Sequence, residues 1–378
     1  MCLLPRDVLV RLIDLHANNL AALKNLLLGL GPDFRKYIQG HLLCRIHIIN
    51  SDQVEEICMA FRTRPYLAQN LQRISIRWWK DFGKPSSCLN LVELLTLLPQ
   101  NNAAPRVLCL SNFRRQSHIG AGLLNVDDEE ELENVITMAV YRAFRTLIFE
   151  DCIFSRVAWR DCLSATRMKD MDCVSLIRCN LSGLAREDLQ TLVEGGRSKL
   201  GELYIESCPA YLVGVLGNDY VAGIIVRKLH VLDPSPDCNA GECLSFLLPL
   251  VRNDLVELTC ESQRMVNQGN DSVGLMFNAF HDNAKFRRLQ ILSLTSTRRD
   301  LSSKYSLTLR IAGGVWTISY YDRHAFHVFV SSEVVGWHRM INRIQAAARH
   351  VTERSGIQFL ELLHDMFDGK ELDAGLIV

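Results

Sequence analysis

Cys152, Cys179 and Cys208 occupy the same place in three similar stretches, and the chain holds 13 cysteines in all. Regularly spaced cysteines can build a metal site or supply a nucleophile. A structural zinc site draws on closely paired ligands such as CxxC, with histidines at short intervals. The nearest cysteines here are separated by five residues (Cys173 and Cys179) or four (Cys238 and Cys243), and no HxxxH or His-Cys cluster supplements them. A catalytic thiol needs a neighbouring base, and no recognisable arrangement provides one. The structural reading remains: a small thiol packed in the turn after a strand, a compact hydrophobe with a weak S–H donor. No catalytic residue, metal ligand or cofactor is expected.

The elements that must position these cysteines form a period. In FRTLIFEDCIF the apolar residues Phe144, Leu147 and Phe149 precede Cys152 and Phe154. The same spacing returns at Met171, Val174, Leu176, Cys179 and Leu181, and at Leu200, Leu203, Ile205, Cys208 and Ala210. Weaker copies run from Leu43, Ile46 and Ile48 to Leu289, Leu292 and Leu294. Between them lie segments of helical spacing, such as 127–144, 185–194 and 241–251, the first opening on the acidic run DDEEE favoured at a helix start. Each module reads as a strand, a turn and a returning helix, a unit that needs neighbours to bury its apolar face.

The pattern LxxLxLxxCxL resembles the cysteine-containing leucine-rich repeat. That resemblance implies an α/β leucine-rich-repeat solenoid, a horseshoe with parallel strands on its concave face. The N-terminal segment departs from the period. Leu4, Pro5, Asp7 and Leu9 resemble the start of an F-box, and Phe34 to Ile48 resembles the end of one running into the first strand, as in fungal F-box/leucine-rich-repeat families. LGPDFRKY stands where that family carries a Cys-Arg-x-Trp segment. Carried over by position, Leu4, Pro5, Leu9 and Ile13 would face the Skp-type adaptor of a cullin–RING ubiquitin ligase. The alternative is a helical cap closing the end of the repeats, with no ligase link.

Near the C-terminus, SLTLRIAGGVWTISYY reads as a β-hairpin turning at Gly313-Gly314. Its register sets Ile311 against Trp316, Leu309 against Ile318 and Leu307 against Tyr320, with a third strand near Phe326 to Val330. The expected organisation is therefore an F-box-like segment (1–42), repeats (43–305), a hairpin insertion (306–331), and an amphipathic helix with a terminal repeat (332–378).

Residues flanking the two core positions of each strand point away from the core. Early strands offer Arg45, His47, Arg73, Ser75 and Arg77. Later strands offer Glu150, then Glu202, Tyr204 and Glu206, then Lys228 and His230, then Glu257, Thr259 and Glu261. The later set would bind a partner bearing basic residues, or else form a solvated charged face. Trp78-Trp79 offers a possible anchor or a packed repeat edge.

Composition narrows the rest. Forty-two basic residues balance 42 acidic ones in 378, without the basic excess of a nucleic-acid binder. Pro5, Arg6 and Asp7 interrupt the N-terminus where a signal peptide needs an apolar run. An odd cysteine count without such a peptide points to a reduced cytoplasmic or nuclear chain. The expected function is a non-enzymatic, protein-binding substrate-recognition subunit of a ubiquitin ligase; the alternative is a repeat scaffold with no ligase link. Neither nucleic acid nor membrane is an expected partner.

Overall fold

Alternating burial is what turns the periodic stretches into strands. In β1 (Arg45–Ile48), Ile46 and Ile48 are buried while Arg45 and His47 are exposed. The pattern recurs in β2 (Arg73–Arg77) and β4 (Phe144–Glu150), while β3 (Arg106–Ser111) also buries Cys109 between its core pair, and each pair of core residues is sealed from solvent. A computed structural model describes 6–15, 44–79, 85–99, 106–113, 126–141, 144–164, 169–182, 198–233, 240–265, 288–299, 304–312, 315–321 and 326–331, with single positions in 22–39 and Thr166.

The chain divides into two compact units, 1–152 and 153–378. In the first, β1 to β4 pair in sequence order, all parallel. Parallel neighbours need a crossover, and helices supply it: α2 (Ser51–Thr63), the short α3 (Tyr66–Gln69), α4 (Pro85–Thr96) and α5 (Val126–Tyr141). Asn50 caps α2 by accepting from the Gln53 amide at 2.9 Å, and Gln53 reaches back to the Ile49 amide at 2.8 Å. That reciprocal pair satisfies two amides at the helix entry. On α5, Leu132, Val135, Ile136 and Ala139 are fully buried, the face that the helical spacing marks out. Arg106 is also fully buried. It donates to the carbonyls of Leu71 (3.2 Å) and Pro99 (3.0 Å) and so ties β3 to the end of α4.

At the N-terminus, α1 (Arg6–Leu15) buries Ile13 against Ile38, with Leu26, Leu30 and Phe34 packed around them.

The second unit begins with β5 (Ile153–Phe154) and α6 (Arg156–Ser164), then β6 (Met171–Ile177) and β7 (Asn180–Leu181). It continues through β8 (Lys199–Glu206), α7 (Ala210–Leu216), β9 (Ile225–Asp233), α8 (Ala240–Val251), β10 (Glu257–Met265) and β11 (Ile291–Arg299). Strands β6, β8, β9, β10 and β11 are parallel in that order, and β5 pairs with β7 apart from them. Trp159 on α6 is fully buried. It stacks edge-on against Phe154 with centroids 4.8 Å apart and donates its indole N–H to the Asn180 carbonyl at 3.0 Å. Arg156 forks onto Asp219 at 2.7 and 2.8 Å, fastening α6 to the π-helical turn Gly217–Val221.

The sheet then changes direction. β12 (Lys304–Ala312) lies antiparallel on β11, followed by β13 (Val315–Tyr321) and β14 (Phe326–Ser331). The hairpin register has Ile311 opposite Trp316, Leu309 opposite Ile318 and Leu307 opposite Tyr320. Gly313-Gly314, the 185–194 stretch and everything in 332–378 lie outside the described residues.

The expectation of a leucine-rich-repeat solenoid is corrected by this architecture. The structure shows an α/β fold of parallel sheet with helical crossovers, not a horseshoe. The physical reason is that the period reports one strand–turn–helix module, and every parallel α/β sheet is made of such modules. The crossovers are also unequal, from 16 residues in α5 to seven in α7, and the parallel series ends in three antiparallel strands.

One contact gives a sharp test of strand spacing. A Cβ on Gly201, in β8, would lie 2.5 Å from the Asp172 carbonyl oxygen on β6, a backbone atom that cannot move alone. A Cβ on Gly29 would meet nothing within 4 Å. Gly201→Ala should therefore destabilise the protein by about 1–3 kcal/mol, read as a lowered urea midpoint, while Gly29→Ala leaves the midpoint unchanged or raises it.

Candidate functional site

The turn after each strand fixes where the exposed side chains end up. Asn112, Asp151, Arg178 and Ser207 all adopt the left-handed region, with φ of 61°, 54°, 51° and 53°. Each stands at the eighth place of its module, just before the cysteine or, after β3, Phe113. Cys152 lies 3.4 Å from the Glu150 carbonyl and 3.5 Å from that of Leu110, on the preceding strand. Cys208 repeats this with Glu206 (3.4 Å) and Leu176 (3.5 Å). The thiols thus tie one strand's turn to the core edge of the strand before it. A hydrogen bond with Cys179, together with burial, pushes the Cys208 thiol well above its ordinary range. Burial also raises Cys44, Cys58, Cys109 and Cys173. Thiols held protonated in this way are poor nucleophiles.

With the turns aligned, outward residues of the second unit fall into rungs. Cys173, Glu202, Lys228 and Glu257 are successive Cα partners across β6, β8, β9 and β10. The next outward rung carries Ser175, Tyr204, His230 and Thr259, and the one after it Ile177, Glu206, Leu232 and Glu261. Seven of the eight partner-binding residues expected from sequence are therefore brought together. Glu150 is not among them: it ends β4 in the first unit, on a rung with Ser111 and Arg77.

Within the rungs the charges are partly matched. Lys228 Nζ stands 3.0 Å from Glu257, and His230 Nε2 stands 3.8 Å from Glu202. The Tyr204 hydroxyl donates to Glu206 at 2.7 Å, and its ring lies 6.2 Å from that of His230. Four carboxylates thus face one lysine, and no cation among the described residues pairs with Glu206 or Glu261. Burial pushes the Tyr204 phenol well above the ordinary tyrosine range, helped by its bond to Glu206 and the nearby Glu261 and Glu202. The Glu257 carboxylate beside Lys228 pushes that ammonium upward as well.

The residues that the F-box resemblance would turn toward an adaptor are distributed differently. Leu4 and Pro5 lie outside the described residues, Leu9 is half-buried on α1, and Ile13 is fully buried. Trp79 packs into the core at 9% exposure, and Trp78 is half-buried with its amide donating to Ser111 at 3.0 Å. Among the described residues no group of three His, Cys, Asp or Glu side chains is placed to hold a metal ion, and no helix is long and apolar enough to cross a membrane. Sequence reasoning missed the Arg156–Asp219 fork and the contribution of Cys173, Ser175 and Leu232 to the rungs. A count of alternate positions along β6 and β9 would have found those three; nothing in the sequence announces the fork. No protein-family model matches the chain, and no curated protein matches it in sequence.

The folded protein holds the Tyr204 and Lys228 protons more tightly than the unfolded chain does. Stability should therefore fall as pH rises above about 10, where the unfolded groups lose those protons first. A phenolate-absorbance titration of Tyr204→Phe should lose one late-titrating phenol, and Glu206→Gln should bring that phenol to lower pH.

Proposed function

We propose that the chain is a non-enzymatic protein-binding adaptor whose second unit captures a partner through a basic, extended segment. The carrying observation is the set of rungs on β8, β9 and β10, where Glu206 and Glu261 flank Leu232 without cationic partners among the described residues. Strands one apart are about 4.8 Å from each other, so these carboxylates stand roughly 10 Å apart across the face. Lysine or arginine side chains of a bound segment would satisfy them, and the Tyr204 and His230 rings would offer faces for a guanidinium to stack on. Matched charges of this kind set orientation and partner choice more than raw affinity.

The fuller reading is a substrate-recognition subunit of a cullin–RING ubiquitin ligase, cytoplasmic or nuclear, with ubiquitin transfer carried out by other subunits. It rests on the F-box-like start at Leu4, Pro5, Asp7 and Leu9, with α1 docking the Skp-type adaptor. A second reading, an interaction scaffold with a helical N-terminal cap, draws support from Ile13, which is spent on packing against Ile38.

Two measurements separate these readings. The chain purified with the Skp adaptor should retain it, and Pro5→Lys with Leu9→Asp should release it; failure of the wild type to retain it leaves the scaffold reading. Independently, reversing Glu202, Glu206, Glu257 and Glu261 to lysine should weaken binding of an arginine-rich peptide at least tenfold by fluorescence anisotropy. Unchanged affinity would remove the acidic face from the proposal.

A further inference from the structure

The first unit presents outward residues of the opposite sign. Arg45 on β1 and Arg73 on β2 are direct Cα partners, and Arg77 follows on the same side of β2. Neighbouring strands stand about 4.8 Å apart, and like charges placed opposite each other destabilise a sheet. Arg73 is held by the Ser75 hydroxyl, 3.1 Å from its Nε, and by the Cys109 thiol beyond it. No carboxylate among the described residues pairs with Arg45, Arg73 or Arg77. Arg45, His47 and Arg77 are exposed to solvent.

The geometry points to a docking surface on β1 and β2 for an extended acidic peptide segment of a partner protein. Guanidinium forks match carboxylates two bonds at a time. Arg73 and Arg77 are four residues apart on one strand, roughly 13 Å at strand rise. An extended segment presents side chains four residues apart at the same interval and on the same side, so glutamates at that spacing fall onto the two arginines. Arg45 would take a third carboxylate across the rung from Arg73, and the Ser75 hydroxyl lies between Arg73 and Arg77 along β2.

Two features favour a short acidic peptide over nucleic acid. Glu150 closes the Arg77–Ser111 rung on β4, so the basic strip does not continue along the sheet. The chain's balanced charge, 42 basic against 42 acidic residues, also lacks the long-range attraction on which polyanion binding depends. This surface goes beyond the proposed basic-segment partner, has the opposite chemistry and lies in the other unit, so the two stand or fall separately.

The test uses the full chain and a fluorescein-labelled peptide with glutamates at every second position, with a lysine peptide of the same length and a single-stranded oligonucleotide as comparisons. The glutamate peptide should bind, weaken as salt rises, and lose at least fivefold in affinity with Arg45→Ala and with Arg77→Ala. Both arginines are exposed, so these variants should keep the wild-type urea midpoint. Arg73→Lys should lose affinity too, because an ammonium lacks the fork. Absence of glutamate-peptide binding, equal binding by the arginine variants, or tighter binding of the oligonucleotide would each overturn the proposal.

Discussion

The outward-facing residues of β3, β4, β6 and β8 take their place from one repeated turn, in which a left-handed residue leads into a buried side chain, a cysteine in three of the four. Non-glycine residues at φ near 51–61° hold a conformation that costs on the order of 1 kcal/mol or more. The cost is offset locally. The amides of Asn112, Arg178 and Ser207 donate to the carbonyls of Glu150, Glu206 and Leu232 on the following strands at 2.8–2.9 Å. The cysteine after the turn then approaches a carbonyl of the strand before it. One turn therefore touches strands on either side and sets their register.

Register decides which side chains become neighbours. Because parallel strands start in step, the third, fifth and seventh places of successive modules line up as rungs rather than scattering. That alignment makes a charged face out of residues far apart in sequence, such as Glu202, Lys228 and Glu257. It also makes the charge of each unit collective. An isolated exposed lysine–glutamate pair contributes little to stability in water, but a surplus of carboxylates on adjoining strands produces a field that a partner can read.

Local structure was legible in the sequence because burial alternates along a strand and recurs along a helix. The core residues of β1 to β4, β6, β8 and β9, the inward face of α5, and the hairpin register all follow from those periods. The long-range arrangement was not legible. The spacing of Leu147, Phe149 and Cys152 describes a module, and the same module serves any parallel α/β sheet, so the horseshoe did not follow from it. Glu150 illustrates the limit at the site. Its place in the module equals that of Glu206, yet it ends a strand of the other unit. Arg156 and Asp219, 63 residues apart, meet only because α6 and the π-helical turn are brought together by tertiary packing, which no local pattern encodes.

The buried cysteines give the chain a chemical memory of having opened. While the turns are closed, the sulfurs of Cys152, Cys179 and Cys208 are shielded from solvent; once a module unfolds, the thiol becomes open to oxidants. Sulfurs that sit on successive modules would then be free to cross-link in pairings that the folded sheet forbids. Refolding after such an event is blocked at the very positions that align the strands, so the same residues that organise the native state make an excursion in an oxidising environment one-way.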